Sequence, residues 1–141
     1  MGRRESRENA FKILYQADIQ KCTAEELLVK FFEENEIPDN DKKYIEEIAK
    51  GVDANADTID ETLSKSLKSW TLNRISKIDK AALRLALYEI MYKEDVPDSI
   101  AIYEAVELVK KYNTESAGGF VNGTLRAIVR KTKEDGEPSE N

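Results

Sequence analysis

Histidine is absent from this chain, and cysteine occurs once, at Cys22. Those two shortages exclude imidazole general-base catalysis, Ser-His-Asp and Cys-His triads, internal disulfides and the ordinary Cys/His zinc sites. Six glycines and three prolines in 141 residues are too few turn residues for a protein of many short strands. No apolar run is long enough to span a bilayer, and nothing at the N-terminus resembles a signal peptide, so a cytoplasmic location is expected. What is abundant is charge, at 35%, beside 40% hydrophobic residues without strand-like alternation. That mixture predicts an all-α fold, and the length suits one domain with a real core. The net charge of -6 argues against coating nucleic acid by charge alone. Its distribution is more telling. Arg3, Arg4 and Arg7 sit at one end, whereas Glu134 to Asn141 is acidic and contains Gly and Pro. The second stretch reads as a disordered tail, which bounds the domain at 1–133.

Helical periodicity orders the chain around Ile78 to Tyr92. There Ile78, Ala81, Ala82, Leu83, Leu85, Ala86, Leu87, Ile90 and Met91 occupy most of the circumference, which predicts a helix covered on several sides. Glu89 projects from its apolar side and requires a buried or interfacial hydrogen-bond partner, because an unpaired carboxylate there is costly. Asp79 lies in its first turn. Before it, a helix over Glu5 to Gln20 buries Ala10, Phe11, Ile13, Leu14 and Ala17. Thr23 to Glu26 has the spacing of a capping box and opens a second helix ending before Pro38. A third, the longest amphipathic stretch, runs from Asp39–Asp41 through Tyr44, Ile48, Val52, Ile59 and Leu63 to Leu67. Gly51 within it costs about 1 kcal/mol relative to Ala and marks close packing or a bend. Trp70, expected as a packing plug with a ligand platform as the alternative, precedes a short turn of helix through Leu72 and Ile75. Beyond the central helix, Asp98 or Ser99 can cap a sixth segment that Asn113, tolerant of the left-handed conformation, can end. The last helix begins around Ser116 to Phe120 and runs to about Lys131.

Three features invite a functional reading. The N-terminal arginines oppose the helix macrodipole, and Arg3 with Arg7 forms a like-charge pair offset only partly by Arg4 facing Glu8. A solvated, frayed terminus is the plain explanation, and phosphate binding is the functional one. Phe120 lies at the margin of a buried face after Ala117-Gly118-Gly119, where helix N-terminal amides attract phosphate and an aromatic can stack on an unpaired base. A core phenylalanine after a flexible turn is its plainer alternative. Carboxylate groups such as Glu33-Glu34, Glu46-Glu47 and Asp57, Asp60, Glu61 read as solvated surface, and no spacing suggests a metal or cofactor site. Nothing specifies an active site, so an enzyme is not expected.

Several stretches, in order along nearly the whole chain, resemble the NusB family of bacterial transcription antitermination factors. They are Arg3-Arg4 and Arg7 before Ala10; Leu14-Tyr15-Gln16 with Asp18; Trp70 to Arg74 leading into Ile78-Asp79-Lys80; and Leu83 to Ala86 followed by Tyr88-Glu89. Val96-Pro97, Ala101-Ile102, Glu104 to Leu108, Lys110, and Phe120-Val121-Asn122-Gly123 with Leu125 complete the set. The resemblance implies a compact bundle of about seven helices in two helical subdomains. It also implies a non-catalytic adaptor that binds the single-stranded boxA element of ribosomal RNA leaders together with the ribosomal protein NusE. That complex joins RNA polymerase and other Nus factors. RNA-facing positions carried over by the resemblance are Arg3, Arg4, Arg7, Phe120 and Asn122, with Lys110 a candidate phosphate contact; the NusE-facing surface falls near Tyr15 and Asp79. The chain departs from the family's pattern at Gly119, where a lysine is common, at Tyr103, where an asparagine is common, and at Ser116-Ala117-Gly118. Two alternatives accompany this reading: a helical protein-interaction module without RNA binding, and an RNA-targeting module acting with an RNA-modifying enzyme, since similar domains occur fused to ribosomal RNA cytosine methyltransferases. Amphipathic stripes fit a monomer and a homodimer equally.

Overall fold

In a computed structural model, whose described residues are 1–67 and 72–136 and whose described side chains end at 133, the central helix is α5, Lys77–Tyr92. Ala81, Ala82, Leu83, Leu85, Ala86 and Leu87 are all buried. Its neighbours are α1 (Arg3–Gln20), α3 (Asp39–Ala54), α4 (Ala56–Ser66), α6 (Asp98–Tyr112) and α7 (Glu115–Gly136), with α2 (Ala24–Glu34) packed on α1 and α3. A helix apolar nearly all round thus has a helix on nearly every side. Two helical groups, α1 to α3 and α4 with α6 and α7, share α5 as their common wall. The described residues contain no strand. Trp70 lies outside the described residues. The expected tail boundary at 133 falls inside α7, which continues to Gly136.

Local signals explain most helix ends. Thr23 accepts from the Glu26 amide while the Glu26 carboxylate accepts from the Thr23 amide, the reciprocal pattern of a capping box. Asp53 of α3 adds a cap from outside, accepting from the Ala24 and Glu25 amides at 3.0 and 2.9 Å. Ser76 accepts from the Asp79 amide to start α5. At the end of α1, Lys21 adopts the left-handed conformation with φ 59°, and Cys22 N–H closes on the Ala17 carbonyl.

The third predicted helix is two. Its stripe is buried throughout, but the chain breaks at Asn55, whose backbone and side-chain N–H groups both donate to the Gly51 carbonyl at 3.0 and 2.8 Å. Side-chain competition for an intrahelical carbonyl ends α3 there. Gly51 does mark close packing: a Cβ would lie 2.3 Å from the Tyr88 ring. The short turn through Leu72 is a 3-10 turn, Leu72–Arg74. Neither Asp98 nor Ser99 caps α6, which begins after Pro97 without a side-chain cap, and Asn113 ends it with φ -132°, outside the left-handed region.

Two of the acidic clusters hold more than water. Asp60 of α4 accepts two bonds from Arg84 of α5 at 2.9 and 2.8 Å. Glu47 of α3 takes Lys93 at 2.9 Å and the Tyr88 hydroxyl at 3.3 Å. These pairs fasten α3 and α4 to α5.

Candidate nucleic-acid interface

The three N-terminal arginines part company. Arg7 lies on the buried side of α1, and its guanidinium donates to both carboxylate oxygens of Glu89 at 2.9 and 3.0 Å. The Tyr44 hydroxyl gives Glu89 a third bond at 2.9 Å. Glu89 is therefore partnered as its position in α5 requires, and by an arginine expected at phosphate. Burial alone would depress the Arg7 pKa; the bond to Glu89 and the neighbouring Tyr44 outweigh it and move the value up. Burial, followed by the Glu89 charge, pushes the Tyr44 hydroxyl well above its ordinary range. With 5% of its surface exposed, Arg7 is held in the interior by this pair and meets the surface only at the floor of the cleft beside Arg4.

Arg3 and Arg4 remain outside. Arg3 stacks over the Tyr44 ring at 4.1 Å. Arg4 does not pair with Glu8, as helical spacing suggested. It reaches across to α6 and grips Glu104 at 3.1 and 2.9 Å, with Tyr103 alongside at 5.8 Å. The bond to Glu104 raises the Arg4 pKa. Glu8 instead takes Lys111 at 2.8 Å and the Tyr112 hydroxyl. Arg4, Arg7, Glu8, Glu104, Glu107 and Lys111 surround a cleft of about 220 Å³.

The last turn of α6 joins this cleft to the next element. Lys111 and Tyr112 face α1, where the Tyr112 ring meets Phe11 with centroids 5.4 Å apart. Lys110 faces α7, where its stem fills the space over Gly118: a Cβ there would lie 2.8 Å from Lys110 Cγ. Its ammonium lies 3.6 Å from Glu107 and 3.9 Å from Glu115. Gly119 is different, since nothing stands within 4 Å of where its Cβ would be.

α7 starts earlier than its sequence suggested. Thr114 accepts from the Ala117 amide at 3.0 Å, so Gly118 and Gly119 are helical and Phe120 occupies the second turn, away from unpaired N-terminal amides. Phe120 is half-buried and borders a cleft of about 340 Å³ whose other walls include Arg74, Ser76, Asp79, Asn113 and Ser116. Asn122, one face further round, holds Arg126 at 3.0 Å. The residues missed from sequence are Arg74, exposed on the 3-10 turn, and Asn113. Arg74 carried a signal, being the last residue of a family-like stretch.

Asp79 is not at an exposed first turn. It is 7% exposed and accepts from Asn113 Nδ2 at 3.1 Å. Burial raises its pKa, against the lowering effect of the bonds from Asn113 and Ser76. Tyr15 is half-buried on α1 and packs against the core, beside neither cleft. The structure therefore brings Phe120 and Asp79 to one cleft and Arg4 with Arg7 to another, with Lys110 between, and sets Tyr15 apart.

An exposed cation beside a stacked aromatic, a bare helical backbone and a half-buried phenylalanine form a surface suited to a flexible anionic chain. The profile of the NusB family matches residues 4–130. The chain belongs to the NusB family. It is 45% identical over 141 residues to the transcription antitermination protein NusB of Acetivibrio thermocellus, covering all of this chain and 97% of that one. Among solved structures it resembles T. maritima NusB, with a TM-score of 0.86 and 35% identity over 92% of each chain. A structure of the antitermination factors NusB and NusE in complex with dsRNA matches with a TM-score of 0.83 and 29% identity, covering 92% of this chain and 96% of that one. The NusB fold thus accounts for the whole helical order, including the enclosed α5.

Proposed function

We propose that this NusB-family protein is a non-catalytic adaptor in transcription antitermination, binding the boxA element of ribosomal RNA leaders together with NusE and so joining RNA polymerase and other Nus factors. The observation that carries this reading is the open backbone at Gly119 beside the half-buried Phe120, with Lys110 packed over Gly118, on a chain similar to a NusB solved with NusE and dsRNA. In this reading Arg3 and Arg4 hold phosphates, Lys110 supplies a contact where relatives carry a lysine at position 119, Phe120 receives a base and Asn122 stands beside it. Tyr15 faces NusE. Asp79, its own carboxylate enclosed, holds Asn113 in place beside Phe120.

A second reading, a protein-interaction module without RNA binding, draws on one specific observation. Arg4, Lys110 and Lys111 are all within salt-bridge distance of carboxylates. RNA must compete with Glu104, Glu107, Glu115 and Glu8 for them. Because Arg4 and Lys111 are largely exposed, those pairs are weak in water and open to exchange. Titration of boxA RNA with and without NusE separates the two readings. The adaptor reading expects this chain to add affinity and sequence selectivity to NusE; a chain that binds NusE and adds neither is the interaction module.

A further inference from the structure

Residues 116–133 contain four basic side chains and no acidic one, in a protein whose net charge is -6. Three of the four, Arg126, Arg130 and Lys133, recur at four- and three-residue steps and share one face of α7. All three are exposed. Among the described residues, none of them lies within 4.0 Å of a carboxylate, unlike Arg4, Arg84, Lys110 and Lys111. They border a cleft of about 390 Å³ floored by Ile102 and Val129, with Ser99 and the single acid Asp98 at the start of α6. That start has no side-chain cap.

The stripe is continuous with the Phe120 site. Asn122 lies one turn before Arg126 on the same face and already accepts from it at 3.0 Å. Between that face and Phe120 run Gly119 and Gly123, and neither would place a Cβ within 4 Å of any neighbour. A strand leaving Phe120 therefore crosses bare backbone to reach the cations. From Asn122 to Lys133 α7 rises roughly 16 Å at 1.5 Å per residue. That length lets a strand set successive phosphates beside the three cations in turn.

We infer that the exposed face of α7, through Arg126, Arg130 and Lys133, is a phosphate track that binds the RNA segment flanking the element held at Phe120. The inference rests on the RNA-binding reading above and extends its footprint. A run of exposed cations without an aromatic holds backbone and carries no base readout, so the flank is bound without sequence preference.

The test compares, in the presence of NusE, an RNA limited to boxA with RNAs extended by about five nucleotides at either end. The full-length chain is set against R126Q/R130Q/K133Q, whose folding is checked by thermal melting. One extension should tighten binding by tenfold or more irrespective of its sequence. The triple variant should lose that gain, keep its affinity for the short RNA within about twofold, and show a salt slope shallower by about 2, at roughly 0.7 per phosphate contact. No gain from either extension, with Phe120-dependent binding of the short RNA intact, overturns the track and leaves the RNA-binding reading standing. Equal loss on short and extended RNAs would assign the cations to the central site. Loss of NusE binding alone would make the stripe a protein contact. Failure of the short RNA to bind at all sinks both proposals.

Discussion

Two arginines three residues apart on α1 make ion pairs of nearly the same length and opposite consequence. Arg7 meets Glu89 at 2.9 and 3.0 Å with 6% of its side chain exposed. Arg4 meets Glu104 at 3.1 and 2.9 Å with 67% exposed. Bond length does not separate them; surroundings do. Inside, neither ion of the Arg7 pair can return to water, so the knot with Tyr44 fixes how α1 and α3 seat on α5. Outside, water and salt compete for Arg4, although its partner Glu104 is only 12% exposed. The interior knot and the α6–α7 edge are thus built from the same residue types, and only the edge is available to a ligand.

The sharpest way to break this comparison is to remove one ion from each pair. Glu89→Ala should cost about 3–5 kcal/mol in urea unfolding, because it leaves a buried guanidinium uncompensated. Arg7→Met with Glu89→Leu should recover most of that loss. Arg4→Ala should lower the urea midpoint much less, because Arg4 itself is 67% exposed, and a drop as large as that of Glu89→Ala would mean that the outer pair is structural too. Next in size is Phe120→Ala. Loss of one stacked base weakens RNA binding by about 1–3 kcal/mol, and the dissociation constant of the folded variant is the measurement. An unchanged constant returns Phe120 to the core.

Much of the interior was legible because one helix carried the signal. The continuous apolar surface of α5 called for neighbours on every side, and Glu89 called for a partner. The identity of that partner was also within reach: Arg7 precedes Ala10, Phe11 and Leu14 by three, four and seven residues, which puts it on the buried stripe. Its cluster with Arg3 and Arg4 drew it toward the surface reading instead. The break at Asn55 was hidden because α3 and α4 continue one apolar phase, and only the side chain's competition for the Gly51 carbonyl divides them. The enclosure of Asp79 was hidden for another reason. It depends on Asn113, distant in sequence and brought over it by the end of α6.

The outer region can be sharpened with salt. In the proposed interface Arg3 and Arg4 are the surface members of the arginine cluster. Arg3→Gln with Arg4→Gln should flatten the dependence of log affinity on log salt by about 1.4, at roughly 0.7 per phosphate. Glu104→Gln should act in the opposite direction on affinity, by releasing Arg4 from its internal competitor. A slope identical to that of the parent would remove both arginines from the interface.

The smallest effect distinguishes by sign two carboxylates, one from each cleft. Burial raises the Asp79 pKa above its ordinary value, so the folded protein holds that proton more tightly than the unfolded chain does. Its contribution to stability is therefore lost as pH rises from about 4 through the raised value. For Glu8, burial acts upward, but the bonds from Lys111 and Tyr112 outweigh it and the pKa falls. Its contribution is present above about 4.3, the value in an unfolded chain, and is lost as pH falls through the lower folded value. Urea unfolding between about pH 3 and pH 7 should then show Asp79→Asn rising more steeply with pH than the parent, and Glu8→Gln rising less steeply. The Asn side chain can still accept from Asn113, which keeps the local hydrogen bond while removing the titration. Parallel curves for all three proteins would mean that the two clefts are wet enough to leave both carboxylates at their ordinary values.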